Sequence, residues 1–201
     1  RLIKGWEINE KGTPTEAASM AMQWFESKLN STVAEVNDLM KKFRLSEALK
    51  EIYRLFWDEF SAWYLEMIKP AYGSPIDKVT LDTTLGFFDS LLRLLHPFMP
   101  FITEELWQHI AERRDGESIM YAPTPQVGEI NTSLLQVMEQ VKEAVNGIRN
   151  VRAEKNIPNK ETLTLNIIGT WSKDRDAVIV KLGNLDAIHH NAEKDPAAAT
   201  F

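Results

Sequence analysis

The sequence predicts a mainly α fold, an antiparallel helical bundle followed by a small α/β unit. Three observations predict the fold class. Apolar residues recur at three- and four-residue spacing through most of the chain up to Gly116, the signature of helices with one buried face. Proline and glycine fall between these runs, where they punctuate the chain. One late run, Thr162 to Ile168, alternates with period two and carries β-branched residues, which is a strand pattern. With 201 residues, 44% apolar residues, six Trp and nine Phe, there is enough to bury a real core.

The first long helix starts after Pro14, with Met20, Trp24, Leu29, Val33, Val36, Met40 and Phe43 on its apolar face. Arg1 to Trp6 reads as the tail of a preceding element. A second helix is expected from Ser46, as N-cap, to Lys69, where Pro70 stops it. Its inward face comprises Ala48, Leu49, Ile52, Leu55, Phe56, Phe60, Trp63, Tyr64 and Met67, with Trp57 beside that stripe. A third helix covers Leu81 to Leu95, burying Leu85, Phe88, Leu91, Leu92 and Leu95. After the break at His96-Pro97-Phe98-Met99-Pro100, Thr103 and Glu104 open a fourth, with Ile102, Leu106, Trp107 and Ile110 as its stripe. Short turns between such helices favour antiparallel packing.

Residues 117–129 read as a connector. Periodicity resumes through Ile130, Leu134, Val137, Val141, Val145 and Ile148 in a fifth helix ending near Asn156. Then come the strand, a short helix from Asp174 to Leu182, and Ala187 to Asn191 as the opening of a second strand, with a partner strand expected beyond Phe201. The organisation is thus 1–128 as the bundle and 129–201 as a long helix with a small α/β junction unit. The chain begins at Arg1 rather than Met and ends at Phe201 within an apolar stretch, so it reads as a fragment.

Composition narrows function mostly by exclusion. Cysteine is absent, which removes disulfides, thiolate metal sites and Cys nucleophiles, and a reducing, cytoplasmic setting is the default. No apolar run reaches the roughly 18 to 20 residues that span a bilayer, so no membrane partner is expected. None of the four His follows a Glu by three residues, the pairing that di-iron bundles need, and Glu105 with His109 makes only two ligands. Gly-x-Ser-x-Gly, Gly-x-x-x-x-Gly-Lys and Gly-x-Gly-x-x-Gly are all missing. Glu104 and Glu105 sit where a helix dipole favours acids and need no catalytic role.

A net charge of −6 argues against indiscriminate polyanion binding. Locally the sign reverses. Lys41, Lys42, Arg44, Lys50 and Arg54 face only Glu47 and Glu51, and Arg149, Arg152, Lys155 and Lys160 face only Glu154. From charge alone both clusters can be solvated helix faces.

Three segments carry a family resemblance. Phe56-Trp57-Asp58-Glu59-Phe60-Ser61-Ala62-Trp63-Tyr64-Leu65-Glu66, with Lys69 behind it, resembles a helix of the valyl-tRNA synthetases. Leu94 through Trp107, reading LLHPFMPFITEELW, is similar to the hallmark of their anticodon-binding bundle. Ile148 through Pro158 resembles the segment that joins that bundle to a small α/β domain. Isoleucyl and leucyl enzymes share a looser form of the second segment, and the Trp-Tyr-Leu-Glu helix favours valine. The chain departs from the family in having Ala122-Pro123 where an aromatic often precedes proline.

The resemblance implies a non-catalytic, tRNA-anticodon-binding piece of a class I aminoacyl-tRNA synthetase whose parent attaches valine to tRNA-Val using ATP with Mg. The nucleotide-binding signatures His-Ile-Gly-His and Lys-Met-Ser-Lys-Ser are missing, so the chain itself carries no cofactor and ATP belongs to the rest of the parent. The implied partners are the tRNA-Val anticodon stem-loop and the remaining domains of the same chain. Gripping such a loop needs cations for phosphates, and the candidates are Lys41, Lys42, Arg44, Lys50, Arg149, Arg152 and Lys155. Arg149 and Arg152, three apart on one helix face, can equally pin the bundle to the α/β unit. The same module of an isoleucyl or leucyl enzyme and a helical protein-interaction module remain the alternatives.

Overall fold

A computed structural model describes residues 7–169, 171–193 and 198–201; the expected element at Arg1 to Trp6 lies outside them. The chain divides into two compact units, Arg1–Asn131 and Thr132–Phe201.

The first unit is helical. A two-residue strand β1 (Ile8–Asn9) pairs in parallel with β2 (Ile76–Asp77) and fixes the two loops at that end. Between them α1 (Glu16–Lys41) starts where Thr15 accepts a hydrogen bond from the Ala18 N–H, as an N-cap does. It buries Trp24, Phe25, Leu29, Val33 and Val36. Phe43, expected on that face, is instead 87% exposed, because the chain leaves the helix there with Phe43 at φ 57°.

The second helix restarts at Leu45, not with Ser46 as its cap. The Arg44 carbonyl accepts from the Ala48 N–H, and the Arg44 side chain pairs with Glu47. It runs as α2 (Leu45–Arg54), a π-helical segment (Leu55–Tyr64) and α3 (Leu65–Ile68). The wide turn is visible in its bonds: the Leu65 N–H and the Ser61 hydroxyl each donate to a carbonyl five residues back, Phe60 and Phe56. In an α-helix residues four apart drift by about 40° per step. A wider turn brings them closer to alignment, so Ile52, Phe56, Phe60 and Tyr64 all point inward. Leu49 and Trp63, expected inside, are exposed and half-buried.

Joined to α1 by only three residues and packed along it from α2 to α3, this helix runs antiparallel to α1. α4 (Lys78–Leu95), capped by Asp77, packs on both. An aromatic cluster fills the space between, with Phe25 lying 5.2 Å from Phe60 and 5.0 Å from Tyr64 and Phe87, centre to centre. Phe87 and Leu94 thus take core places expected for Phe88 and Leu95, which are half-buried. The Tyr64 hydroxyl is 2.7 Å from Thr84 Oγ1, and burial pushes its pKa up from 10.0 to about 12.

α5 (Pro100–Ile110) begins three residues before the expected start, with proline in the first turn, where its missing N–H costs nothing. It packs on α4 and the turn Ile119–Tyr121, so Trp107 is buried while Ile102 and Leu106 are exposed. Gln108 and Ser118 donate to the Glu104 carboxylate, which also accepts from the Ile119 N–H. These bonds, Gln108's foremost, hold that carboxyl below its usual pKa. Ala122, where the family often has an aromatic, packs on the cluster of Leu92, Trp107 and Ile119.

The second unit opens with α6 (Thr132–Lys155), then β3 (Leu163–Ile167), α7 (Asp176–Gly183) and β4 (Leu185–His190). β4, the second strand expected at Ala187 to Asn191 and found to begin two residues earlier, pairs in parallel with β3 as a β-α-β unit. The Phe201 ring lies over Gly147, where a Cβ would meet it at 2.0 Å.

Candidate nucleic-acid interface

The sequence-predicted cations divide between the two units. Lys41, Lys42 and Arg44 surround the three-residue turn from α1 to α2, and Lys50 follows on α2; all four are exposed. Lys42 pairs with Asp38 at 2.6 Å and Arg44 with Glu47. Both pairs sit in solvent and span a single helical turn, so each contributes no more than about 0.5 kcal/mol and yields readily to a phosphate. Lys41 and Lys50 have no ion pair among the described residues.

On α6, Arg149 and Lys155 are exposed, but Arg152 is 5% exposed. Its guanidinium donates to the carbonyls of Pro158 at 3.2 Å, Gly183 at 3.0 Å and Asn184 at 3.1 Å. No phosphate reaches it, so Arg152 leaves the set of contact candidates. Of its two readings the pinning one fits, within the second unit: it ties the end of α6 to the end of α7.

Two aromatic residues stand beside the cations of α2. Along α2 and into the π segment, Lys50, Tyr53, Arg54 and Trp57 follow i, i+3, i+4, i+7 spacing, which places them on one helix face. Tyr53 and Trp57 are each 59% exposed. Their rings stack 6.3 Å apart at 24°. Arg54, exposed, pairs at 3.0 Å with Glu51, which is half-buried. The signal was in the spacing: the aromatics of this helix form two stripes, and the inward one drew attention from the outward one.

Among the described residues no group of three or more His, Cys, Asp or Glu is placed to hold a metal, and no helix is long and apolar enough to cross a membrane.

Residues 22–167 match the family model described as the anticodon-binding domain of tRNA ligase. The chain is 52% identical over its whole length to a valine–tRNA ligase of Parabacteroides distasonis, covering 23% of that protein. It is 54% identical over its whole length to the enzyme of Phocaeicola vulgatus, again covering 23%. To that of Thermotoga maritima it is 35% identical over 94% of the chain and 22% of the relative. The chain therefore spans about a quarter of the length of the curated relatives it matches, and over most of that span it belongs to the anticodon-binding domain family of tRNA ligases.

Proposed function

We propose that this chain is the anticodon-binding domain of a cytoplasmic valine–tRNA ligase and grips the anticodon stem-loop of tRNA-Val. The observation that carries the reading is the match of the whole chain, at 52%, to a protein named valine–tRNA ligase. In such a parent, adenylation with ATP and Mg and transfer of valine to the tRNA occur on domains other than this one. The role left to this chain is selection: it adds binding free energy for the correct tRNA far from the reacting atoms.

Lys41, Lys42, Arg44 and Lys50 in the first unit, and Arg149 and Lys155 in the second, are the proposed phosphate contacts. Exposed cations are what such contacts require, since counterions released from the RNA supply most of the affinity.

Titration of the chain with a tRNA-Val anticodon stem-loop at several salt concentrations tests this. Binding should weaken steeply with salt, and the double substitution Lys41→Glu with Lys42→Glu should weaken it further and flatten the salt slope without lowering the unfolding midpoint. An unchanged affinity would remove those two lysines from the interface. The stem-loop of an isoleucine tRNA serves as the competitor, and equal affinity for it would remove the valine assignment.

A further inference from the structure

We infer that the stacked Tyr53–Trp57 pair is a platform on which an unpaired base of the bound RNA stacks. The inference rests on the tRNA-binding reading above and names residues that reading does not use.

Two large aromatic rings more than half exposed on one helix are costly to leave in water unless something covers them, since each carries well over 100 Å² of apolar surface. Among the described residues of the first unit, nothing covers the exposed part of either ring. The core of that unit is already filled by the other aromatic stripe of the same helix, Phe56, Phe60 and Tyr64. The outward pair is held nearly parallel, 24° between planes, so the two rings together present a flat apolar surface at helical i, i+4 spacing.

The neighbours of the pair select the occupant. Lys50 and Arg54 each stand one turn before a ring, on the same face, so every ring has a cation beside it. That is the arrangement that binds a nucleotide: the ring takes the base and the cation takes the phosphate. A protein partner fits less well, because lysine is depleted from the desolvated centres of protein interfaces and Lys50 lies within the patch. Further cations, Lys41, Lys42 and Arg44, line the turn at the start of the same helix and extend the positive path that a strand would follow. Glu47 and Glu51 oppose this as the partners of Arg44 and Arg54, Glu47 exposed and Glu51 half-buried, and both pairs lie at the surface where such pairs contribute little.

The test uses the whole 201-residue chain and two hairpin RNAs, the tRNA-Val anticodon stem-loop and the same hairpin with abasic loop nucleotides. Trp57→Ala is expected to weaken binding to the intact loop about tenfold or more while leaving the slope of affinity against salt unchanged. Trp57→Phe should retain most of the affinity, and Tyr53→Ala should lose less than Trp57→Ala. On the abasic hairpin Trp57→Ala should change nothing. Unfolding midpoints close to that of the unaltered chain confirm that the variants fold. A loss within twofold on the intact loop overturns the inference alone, as does an equal loss on both hairpins. Dispersal of a self-associated chain by Trp57→Ala, with RNA affinity unchanged, would assign the face to protein contact and also overturn it. Absence of salt-dependent binding by the unaltered chain would sink the tRNA reading and this inference with it.

Discussion

Two helices in this molecule end in the same way and are used differently. α1 closes with the Arg44 N–H donating to the Leu39 carbonyl at 2.9 Å, and α6 closes with the Ile157 N–H donating to the Arg152 carbonyl at 2.9 Å. Both closures need one residue in the left-handed region, Phe43 at φ 57° and Asn156 at φ 55°. Both ends also carry basic residues. At the end of α6 each choice favours stability: asparagine tolerates the left-handed turn, and Arg152 turns inward to tie three carbonyls together. At the end of α1 a phenylalanine is held in the strained conformation with its ring in water, and every cation faces out. The same local motif serves as a joint in one unit and as a display in the other.

The sharpest way to break the comparison is Arg152→Met, which keeps the apolar stem and removes the donors. Three carbonyls lose a charged partner, that of Gly183 buried and those of Pro158 and Asn184 only partly so, and the second unit should lose roughly 3 kcal/mol. Lys155→Ala, three residues on, should stay within about 0.5 kcal/mol. Denaturant unfolding with hydrogen exchange resolved to α6 and α7 measures both. Equal effects would mean that the two cations are alike and the distinction between joint and display is false.

The first unit has its own buried polar pin, and it differs by being titratable. Tyr64 keeps its proton in the folded state up to about pH 12 but releases it near 10.0 when unfolded. Stability from that group is complete below pH 10 and is lost as pH rises through 12, by about 1.4 kcal/mol per pH unit, or roughly 2 to 3 kcal/mol over the interval. Subtracting the alkaline unfolding curve of Tyr64→Phe from that of the parent chain should isolate this loss, and the first unit should open before the second. A Tyr64→Phe variant with the same alkaline slope would show that other groups carry it.

How much of this was legible in the sequence depends on how local the cause is. Pro14, Pro70 and the break ending at Pro100 placed helix ends to within a few residues, because proline acts on its own neighbours. The LLHPFMPFITEELW segment identified the family before any geometry. Inward and outward positions on the second helix were less legible: a 3.6-residue period assigns Trp63 to the core, and the π turn in which it lies leaves it half-buried, while Leu49, on the α-helical turn before that segment, is exposed. Exposed Ile102 and Leu106 follow from α5 having neighbours on one side only, a tertiary fact. Arg152 could not be told from Lys155 by composition, because its acceptors lie as far away as Gly183 and Asn184. The Tyr53–Trp57 face is legible in the sequence, because Lys50, Tyr53, Arg54 and Trp57 follow helical spacing on the side opposite the inward stripe.

The smallest effect is the most direct test of whether the end of α1 is a display. A phenylalanine in the left-handed region costs about 1 to 2 kcal/mol, and glycine returns most of that less its own flexibility. Phe43→Gly should therefore raise the stability of the first unit by about 1 kcal/mol, read from the denaturation midpoint, since the ring it removes is 87% exposed and packs against little. Phe43→Ala removes the same ring yet keeps the strained turn, so it should bring no comparable gain; if both variants stabilise equally, the gain comes from losing an exposed ring and the strain is irrelevant. The decisive comparison is then with RNA. If Phe43→Gly gains stability and loses affinity for the anticodon stem-loop, the strained residue is retained for contact, whereas a gain in stability with affinity intact would make the exposed Phe43 an uncorrected cost, and the difference between the two helix ends one of chance rather than use.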